Sequence, residues 1–397
     1  MEIIDRTYGY ECPICHNLSV DYDGEKLYCF ACNTRFSFQD TNEIISKKMK
    51  TSELFSTLGL VLFLLLTLKV FHLKYRFVIN GTKLVSYIGV NGEDEEVVHV
   101  PVFVTEIGKC AFMNHKGIKQ IILPKSLKKI GKCAFSNCIN LEKIILPNRL
   151  KRIGAYAFWN CNLTEINIPK RVENIGMGAF CDNKNLKRID IHPDVKLIDA
   201  YAFKRCTALE TVTIPDGVKY VGKHAFEECG IIEIELPDSI SYIGDGAFEK
   251  CRSLRKVRLP ERISDLNSYL FRGCTALSDL TIPESVHSLG NDVFYGCGSL
   301  KCLEIPKNIT LIPSCLCYES TGLTEVIIRG EVTEIKSFAF CDCISLVRVN
   351  IPQTVSVIGS FAFNGCVSLT EITLPKSAEI HSNAFRGCTK LDIEKQT

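Results

Sequence analysis

The sequence predicts a repeat solenoid built mainly of short β-strands, and three regularities predict it. Prolines fall at 101, 124, 147, 169, 193, 215, 237, 260, 283, 306, 352 and 375, spaced 22 to 24 residues apart with one double step where Arg329 replaces a proline. Ahead of the prolines runs one alternation of apolar residues, as in Leu141-Glu142-Lys143-Ile144-Ile145-Leu146-Pro147 and Leu254-Arg255-Lys256-Val257-Arg258-Leu259-Pro260. Behind them comes an apolar residue, usually with glycine, and then Ala-Phe with a cysteine three residues after the Phe, as in Ile130-Gly131, Ala134-Phe135 and Cys138. Together these give 13 frames with a period of about 23 residues.

Each part of the frame has a physical reading. Alternation across Ile144 and Leu146 marks a short strand with one buried face. The proline stops pairing beyond it. Glycine after the next apolar residue, as at Gly131, Gly154, Gly222, Gly244 and Gly359, is expected to permit the sharp turn back. The Ala and Phe fill the inside of the return segment. One such coil cannot bury its own apolar face, but stacked coils can, each strand pairing with the next. Thirteen coils at the strand spacing would extend roughly 60 Å. The frames at Pro306 and Arg329 depart from the pattern: Cys315-Leu316-Cys317 replaces Ala-Phe and Pro313 replaces the glycine. A kinked or specialised coil is expected there, with plain repeat drift as the simpler account.

The run Leu209-Glu210-Thr211-Val212-Thr213-Ile214-Pro215, with Val218, Val221-Gly222, Ala225-Phe226 and Cys229, resembles the repeat of the BspA-like leucine-rich-repeat family. The resemblance covers about residues 74–397 and includes a lead-in, Phe77-Val78-Ile79-Asn80-Gly81, that looks like the N-terminal cap of such arrays. A cap answers a physical need, because the first coil leaves a sheet edge and a core end open. The resemblance implies a leucine-rich-repeat solenoid over 101–397 behind a cap over 74–100, used for adhesion or interaction at a cell surface.

The chain has 21 cysteines, and ten of them occupy one frame position: Cys138, Cys161, Cys206, Cys229, Cys251, Cys274, Cys297, Cys343, Cys366 and Cys388. A ladder spreads its sulfurs along an axis, whereas a metal site needs ligands converging on one point. The ladder thiols are therefore read as small buried hydrophobes; stacked neighbours could also reach disulfide distance. The eight histidines, among them His99, His115, His192 and His224, are scattered and none pairs with cysteine in ligand spacing.

Near the N-terminus the spacing is different. Cys12-Pro13-Ile14-Cys15 and Cys29-Phe30-Ala31-Cys32 are two C-x-x-C turns separated by 13 residues. Each such turn aims both sulfurs at one point, so four thiolates can hold one tetrahedral zinc ion. The stretches Leu18–Tyr22 and Lys26–Tyr28 flank Asp23-Gly24, a favourable hairpin turn. The segment resembles the zinc-ribbon family and is expected over residues 1–40; two disulfides, or iron instead of zinc, are the alternatives. It carries Arg6, Lys26 and Arg35 against Glu2, Asp5, Glu11, Asp21, Asp23 and Glu25. An acidic ribbon is a poor match for a phosphate backbone, so nucleic acid is not expected as a partner.

A linker over 41–52 leads into an apolar run. Leu54 through Leu68 is nearly all apolar and, extended past Lys69 to Leu73, is long enough to cross a bilayer as one helix. A single-pass transmembrane helix is expected over 53–73. Lysines flank both ends, so charge does not set its orientation. Four zinc-binding thiolates persist best in a reducing cytosol, which places the ribbon inside and the solenoid outside.

No catalytic motif stands in the chain, so an enzyme is not expected. The formal net charge of +2 gives no global field for a polyanion. Function is expected on the concave sheet, at outward positions two to five residues before the prolines: Lys143, Glu165, Arg188, Asp190, Glu233, Glu235, Lys256, Arg258, Asp279, Glu304 and Arg348. These form bands of opposite charge without an aromatic platform, which favours a protein ligand over a sugar. The reading is a membrane-anchored surface protein that binds or adheres through its solenoid. A membrane-tethered cytosolic scaffold, whose ribbon contacts protein or nucleic acid, is the alternative.

Overall fold

The computed structural model describes residues 76–90 and 92–391, together with the backbone of three short strands nearer the N-terminus. The chain divides into two compact units, Met1–Asn80 with Leu84–Glu93, and Gly81–Lys83 with Asp94–Thr397. In the first, Val20–Tyr22 runs antiparallel to Leu27–Cys29, with Val20 opposite Cys29, and Leu27–Cys29 pairs in turn with Thr34–Phe36. The hairpin expected on either side of Asp23-Gly24 is present, with a third strand that the sequence reading did not foresee. Cys12, Cys15 and Cys32 lie outside the described residues, and so does the span expected over 53–73. Among the described residues no helix is long and apolar enough to cross a membrane. Farther along this unit the rings of Phe77 and Tyr87 meet at 5.4 Å.

The second unit is a solenoid of 13 turns, and each turn supplies two strands rather than the one expected. The first precedes the proline. Glu165–Ile168 and Arg188–Ile191 show its parallel register, with Ile166 opposite Ile189 and Asn167 opposite Asp190. The second is only two residues long, as in Lys129–Ile130 and Arg152–Ile153, which pair in parallel in the same way. Two residues are too few for alternation to register as a strand signal, so the sequence reading took this segment for part of the return turn.

The third side of each turn carries the Ala-Phe segment. It too is tied to the next turn, through Cys133 N–H to Ala155 O at 2.9 Å, Phe135 N–H to Ala157 O at 2.8 Å and Asn137 N–H to Trp159 O at 2.7 Å. In every turn but the last, two residues bend the chain here in the left-handed region: the one before the Ala (Tyr156, φ 56°) and the second after the Phe (Asn160, φ 52°). For non-glycine residues this costs roughly 1–2 kcal/mol each. The inter-turn hydrogen bonds offset that cost.

The core is a stack of phenylalanines. Phe112, Phe135, Phe158, Phe180, Phe203, Phe226, Phe248, Phe271 and Phe294 follow one another with ring centroids 5.0–6.0 Å apart, all fully buried. The stack then stops. Cys317 takes the place of a Phe and Leu316 the place of its Ala, both buried, before Phe340, Phe363 and Phe385 resume it. The larger Leu offsets the smaller Cys, which keeps the volume of the layer. In the same turn Pro313 lacks the N–H that Gly290 gives to Leu266 O and Lys336 gives to Ile312 O. The second row of strands is interrupted there, between Ser288–Leu289 and Leu311–Ile312, as it also is between Tyr242–Ile243 and Asp265–Leu266, where no proline follows the strand. The departure expected at this frame is local, since Leu316 and Cys317 stay buried in the stack.

The glycines have a different role from the one expected. Gly131, Gly154, Gly222 and Gly244 do not adopt a positive φ. Instead a Cβ on Gly154 would lie 2.6 Å from the backbone of Gly131 and Lys132, and one on Gly222 would lie 2.4 Å from Ala200 N. They are glycine because stacked turns approach backbone to backbone.

The cysteine ladder is hydrogen-bonded as well as buried. All ten thiols donate to a backbone carbonyl of the preceding turn at 2.9–3.3 Å, as in Cys138 Sγ to Phe112 O and Cys229 Sγ to Phe203 O. Where cysteine is missing, another donor makes the same bond: Asn183 Nδ2 to Phe158 O at 2.8 Å and Ser320 Oγ to Phe294 O at 2.7 Å. The position therefore selects a small buried donor. All ten ladder cysteines are free thiols.

Two stability predictions follow from this packing. The Phe203 carbonyl also accepts the Cys206 N–H at 3.1 Å, so Cys229→Ala removes the second of its two donors and is expected to cost about 0.5–1.5 kcal/mol in urea unfolding, and Cys229→Ser distinctly less; equal losses would mean that the donor does not matter. Gly154→Ala forces a Cβ into the backbone of the turn before and is expected to cost about 1–3 kcal/mol. A neutral outcome for it would show that the turns can spread at no cost.

Candidate functional site

The strands that precede the prolines bury alternate residues and expose the others, so one face of this row is outward throughout the second unit. Glu165–Ile168 and Arg188–Ile191 both alternate exposed and buried, because Ile166, Ile168, Ile189 and Ile191 face the core. All the charged positions expected on this face, from Lys143 to Arg348, are exposed. Parallel register then sets them side by side: Glu165 beside Arg188, Glu233 beside Lys256, Glu235 beside Arg258 and Lys256 beside Asp279.

Several of these charges are already engaged with neighbours. Lys256 Nζ lies 3.4 Å from Asp279 Oδ2, and Arg188 Nε donates to Asp190 Oδ1 at 3.3 Å. Arg258 donates to both carboxylate oxygens of Asp238, at 3.0 and 3.2 Å, and to Leu236 O. The Glu261 N–H and this guanidinium hold the Asp238 carboxyl below its usual range. Glu304 meets Arg329. Arg348 Nε donates to Glu325 Oε1 at 2.6 Å, which lowers the Glu325 carboxyl in the same way. Exposed pairs of this kind contribute little stability, so they order the face more than they hold the fold.

The sequence reading missed an apolar element on this face. Ile145 is 72% exposed, although it stands at an outward position beside Lys143. Ile121 lies opposite Ile144, which sets the exposed Ile122 beside Ile145. A shallow groove of about 360 Å³ begins at Ile145 and runs past Glu165 and Asn167 to Arg188 and Asp190. The signal was available: in Lys143-Ile144-Ile145-Leu146 one of three consecutive apolar residues has to point outward.

A second cluster lies on the turn side. Ligand atoms of His224, Glu227 and Glu249 lie within 4.8 Å of one another and could hold a cation. The sequence reading passed over His224 as scattered. Its signal was periodic, since Glu227 and Glu249 occupy the same position of consecutive frames. Of the four cysteines expected to hold zinc, only the backbone of Cys29 is among the described residues, at the end of Leu27–Cys29.

The BspA type leucine rich repeat region family matches the chain over residues 105–231, 196–317 and 312–394. Among solved structures, a leucine-rich repeat protein from Bacteroides ovatus is 23% identical, with 80% of this chain and 93% of that chain covered and a TM-score of 0.42. A leucine rich cell surface protein from Faecalibacterium prausnitzii is 24% identical, with 78% and 95% covered and a TM-score of 0.46. The pneumococcal vaccine antigen PcpA is 19% identical, with 77% and 87% covered and a TM-score of 0.42. No curated protein matches the chain. The matches to the repeat family together span residues 105–394, and the chain belongs to the family of BspA type leucine-rich-repeat proteins.

Proposed function

We propose that this protein binds a protein ligand at a cell surface through the outward sheet face of its solenoid. In this reading a single membrane-spanning helix over 53–73 anchors it, and a zinc ribbon held by Cys12, Cys15, Cys29 and Cys32 stays on the cytosolic side. The observation that carries the binding role is the register of the face, where Glu233, Glu235, Lys256 and Arg258 stand side by side on neighbouring strands. Its alternating charge favours a partner with a complementary pattern, which sets specificity and encounter rate more than raw affinity. The exposed Ile122 and Ile145 add a desolvating edge. Leucine-rich-repeat proteins are in general binding proteins rather than enzymes, and the reading assigns no catalysis.

A second reading, a cytosol-facing scaffold on the same anchor, draws support from the free thiols, which suit a reducing compartment.

Protease treatment of intact cells, followed with antibodies to each end of the chain, separates the two. The surface reading expects the repeats to be removed and the ribbon to be protected. Survival of both ends until lysis would assign the solenoid to the cytosol. For a surface ligand once found, the combined variant Glu233→Ser, Glu235→Ser, Lys256→Ser and Arg258→Ser is expected to weaken binding at least tenfold with the unfolding midpoint retained. Unchanged affinity would remove the sheet face as the binding surface.

A further inference from the structure

Glu227 and Glu249 each follow the stacked Phe of their turn, and the turns are consecutive, so two carboxylates lie one above the other. Both are buried, with 5% and 7% of their surface exposed. Like charges in register on adjacent segments repel, and burial raises the cost of that repulsion. Between them stands His224, whose Nδ1 is 3.0 Å from Glu227 Oε2 and 3.3 Å from Glu249 Oε2. His224 Nδ1 and Glu227 Oε2 are both buried, and their ion-pair contacts at 2.7–3.3 Å lack hydrogen-bond geometry.

The surroundings hold this arrangement in place. The His224 ring stacks on Tyr201 with centroids 5.4 Å apart and planes 9° apart. Position 246 is glycine at φ +58°, where a Cβ would lie 2.5 Å from His224 Nδ1 and 3.2 Å from Glu249 Oε2. A side chain there would therefore close the space between the imidazole and the carboxylate. Two lysines balance the charge: Lys204 Nζ lies 2.7 Å from Glu227 Oε2, and Lys250 Nζ 3.5 Å from Glu249 Oε1. Both ammonium groups are on long side chains, 23% and 42% exposed, that can turn to water when another cation takes their place.

We propose that His224, Glu227 and Glu249 bind one divalent transition-metal ion of the zinc class, which ties two consecutive turns of the solenoid together. One imidazole nitrogen and two carboxylate oxygens suit zinc or cobalt and leave a position open to water. Calcium demands six to eight oxygens, more than this site offers. The ion would take over from the two lysines that now balance the buried carboxylates.

The test uses the full-length chain in detergent, with Cys12, Cys15, Cys29 and Cys32 changed to Ser so that the ribbon cannot contribute. Cobalt(II) is titrated in, followed by absorption and by thermal unfolding. One equivalent is expected to bind with the weak bands of nitrogen and oxygen ligation, without a thiolate charge-transfer band, and to raise the unfolding midpoint. In that background Glu249→Gln and, separately, His224→Gln are expected to weaken binding at least tenfold and to abolish the midpoint shift. Absence of binding, a thiolate band, or binding that survives both substitutions overturns the proposal. The chain with its four ribbon cysteines intact gives the thiolate band if the ribbon reading holds, so either site can fail without the other.

Discussion

Everything in the solenoid repeats at the distance set by backbone hydrogen bonds between turns, close to the 4.8 Å of paired strands. The bonds run along three sides of the turns: the two strand rows, each with interruptions, and the Ala-Phe segment. That spacing decides which residues can stand at each position. Phenyl rings stack with centroids 5.0–6.0 Å apart because the backbone that carries them advances by about 4.8 Å per turn. Glycine is required where two backbones touch, and a small donor is favoured where it can add a second hydrogen bond to a Phe carbonyl of the preceding turn. Pro313, which removes one inter-turn bond, coincides with an interruption of its strand row.

A core fixed so tightly leaves variation to the outside. On the sheet face the outward residues change from turn to turn between acid, base and threonine, while the residues between them stay Ile, Val or Leu. On the turn side the same constraint brings buried groups into register whether or not they attract. Glu227 above Glu249 is the case in which like charges meet, with His224 between them and Lys204 and Lys250 beside them. The two candidate surfaces thus have one origin. A stack places every chosen side chain next to its counterpart, and specificity follows from which counterparts are chosen.

Much of this was legible in the chain itself. Period, turn number, core residues and the outward charges all follow from residues that recur at fixed offsets, such as Ile144, Phe135 and Lys143. What was missed lacked such a signal or had two meanings. The second strand of each turn is two residues long, too short for alternation. Gly154 was read as a bending residue, although the same residue also marks close approach, and only coordinates separate the two. The ladder cysteines looked purely apolar, while Asn183 and Ser320, standing in the same position, already indicated a donor. His224 meets Glu249 only because consecutive turns lie in register, which a search for local ligand spacing does not sample.

The account rests on a continuous stack whose ladder thiols are buried, paired to carbonyls and chemically quiet. Burial pushes the Cys138, Cys251 and Cys297 thiols up to about 12, whereas Cys302 is exposed. The direct measurement is time-resolved alkylation of the native protein read residue by residue by mass spectrometry. Cys302 is expected to react first, and the ladder cysteines only as fast as the solenoid unfolds. Ladder cysteines that label as quickly as Cys302, or that are found joined in disulfides between turns, would contradict it.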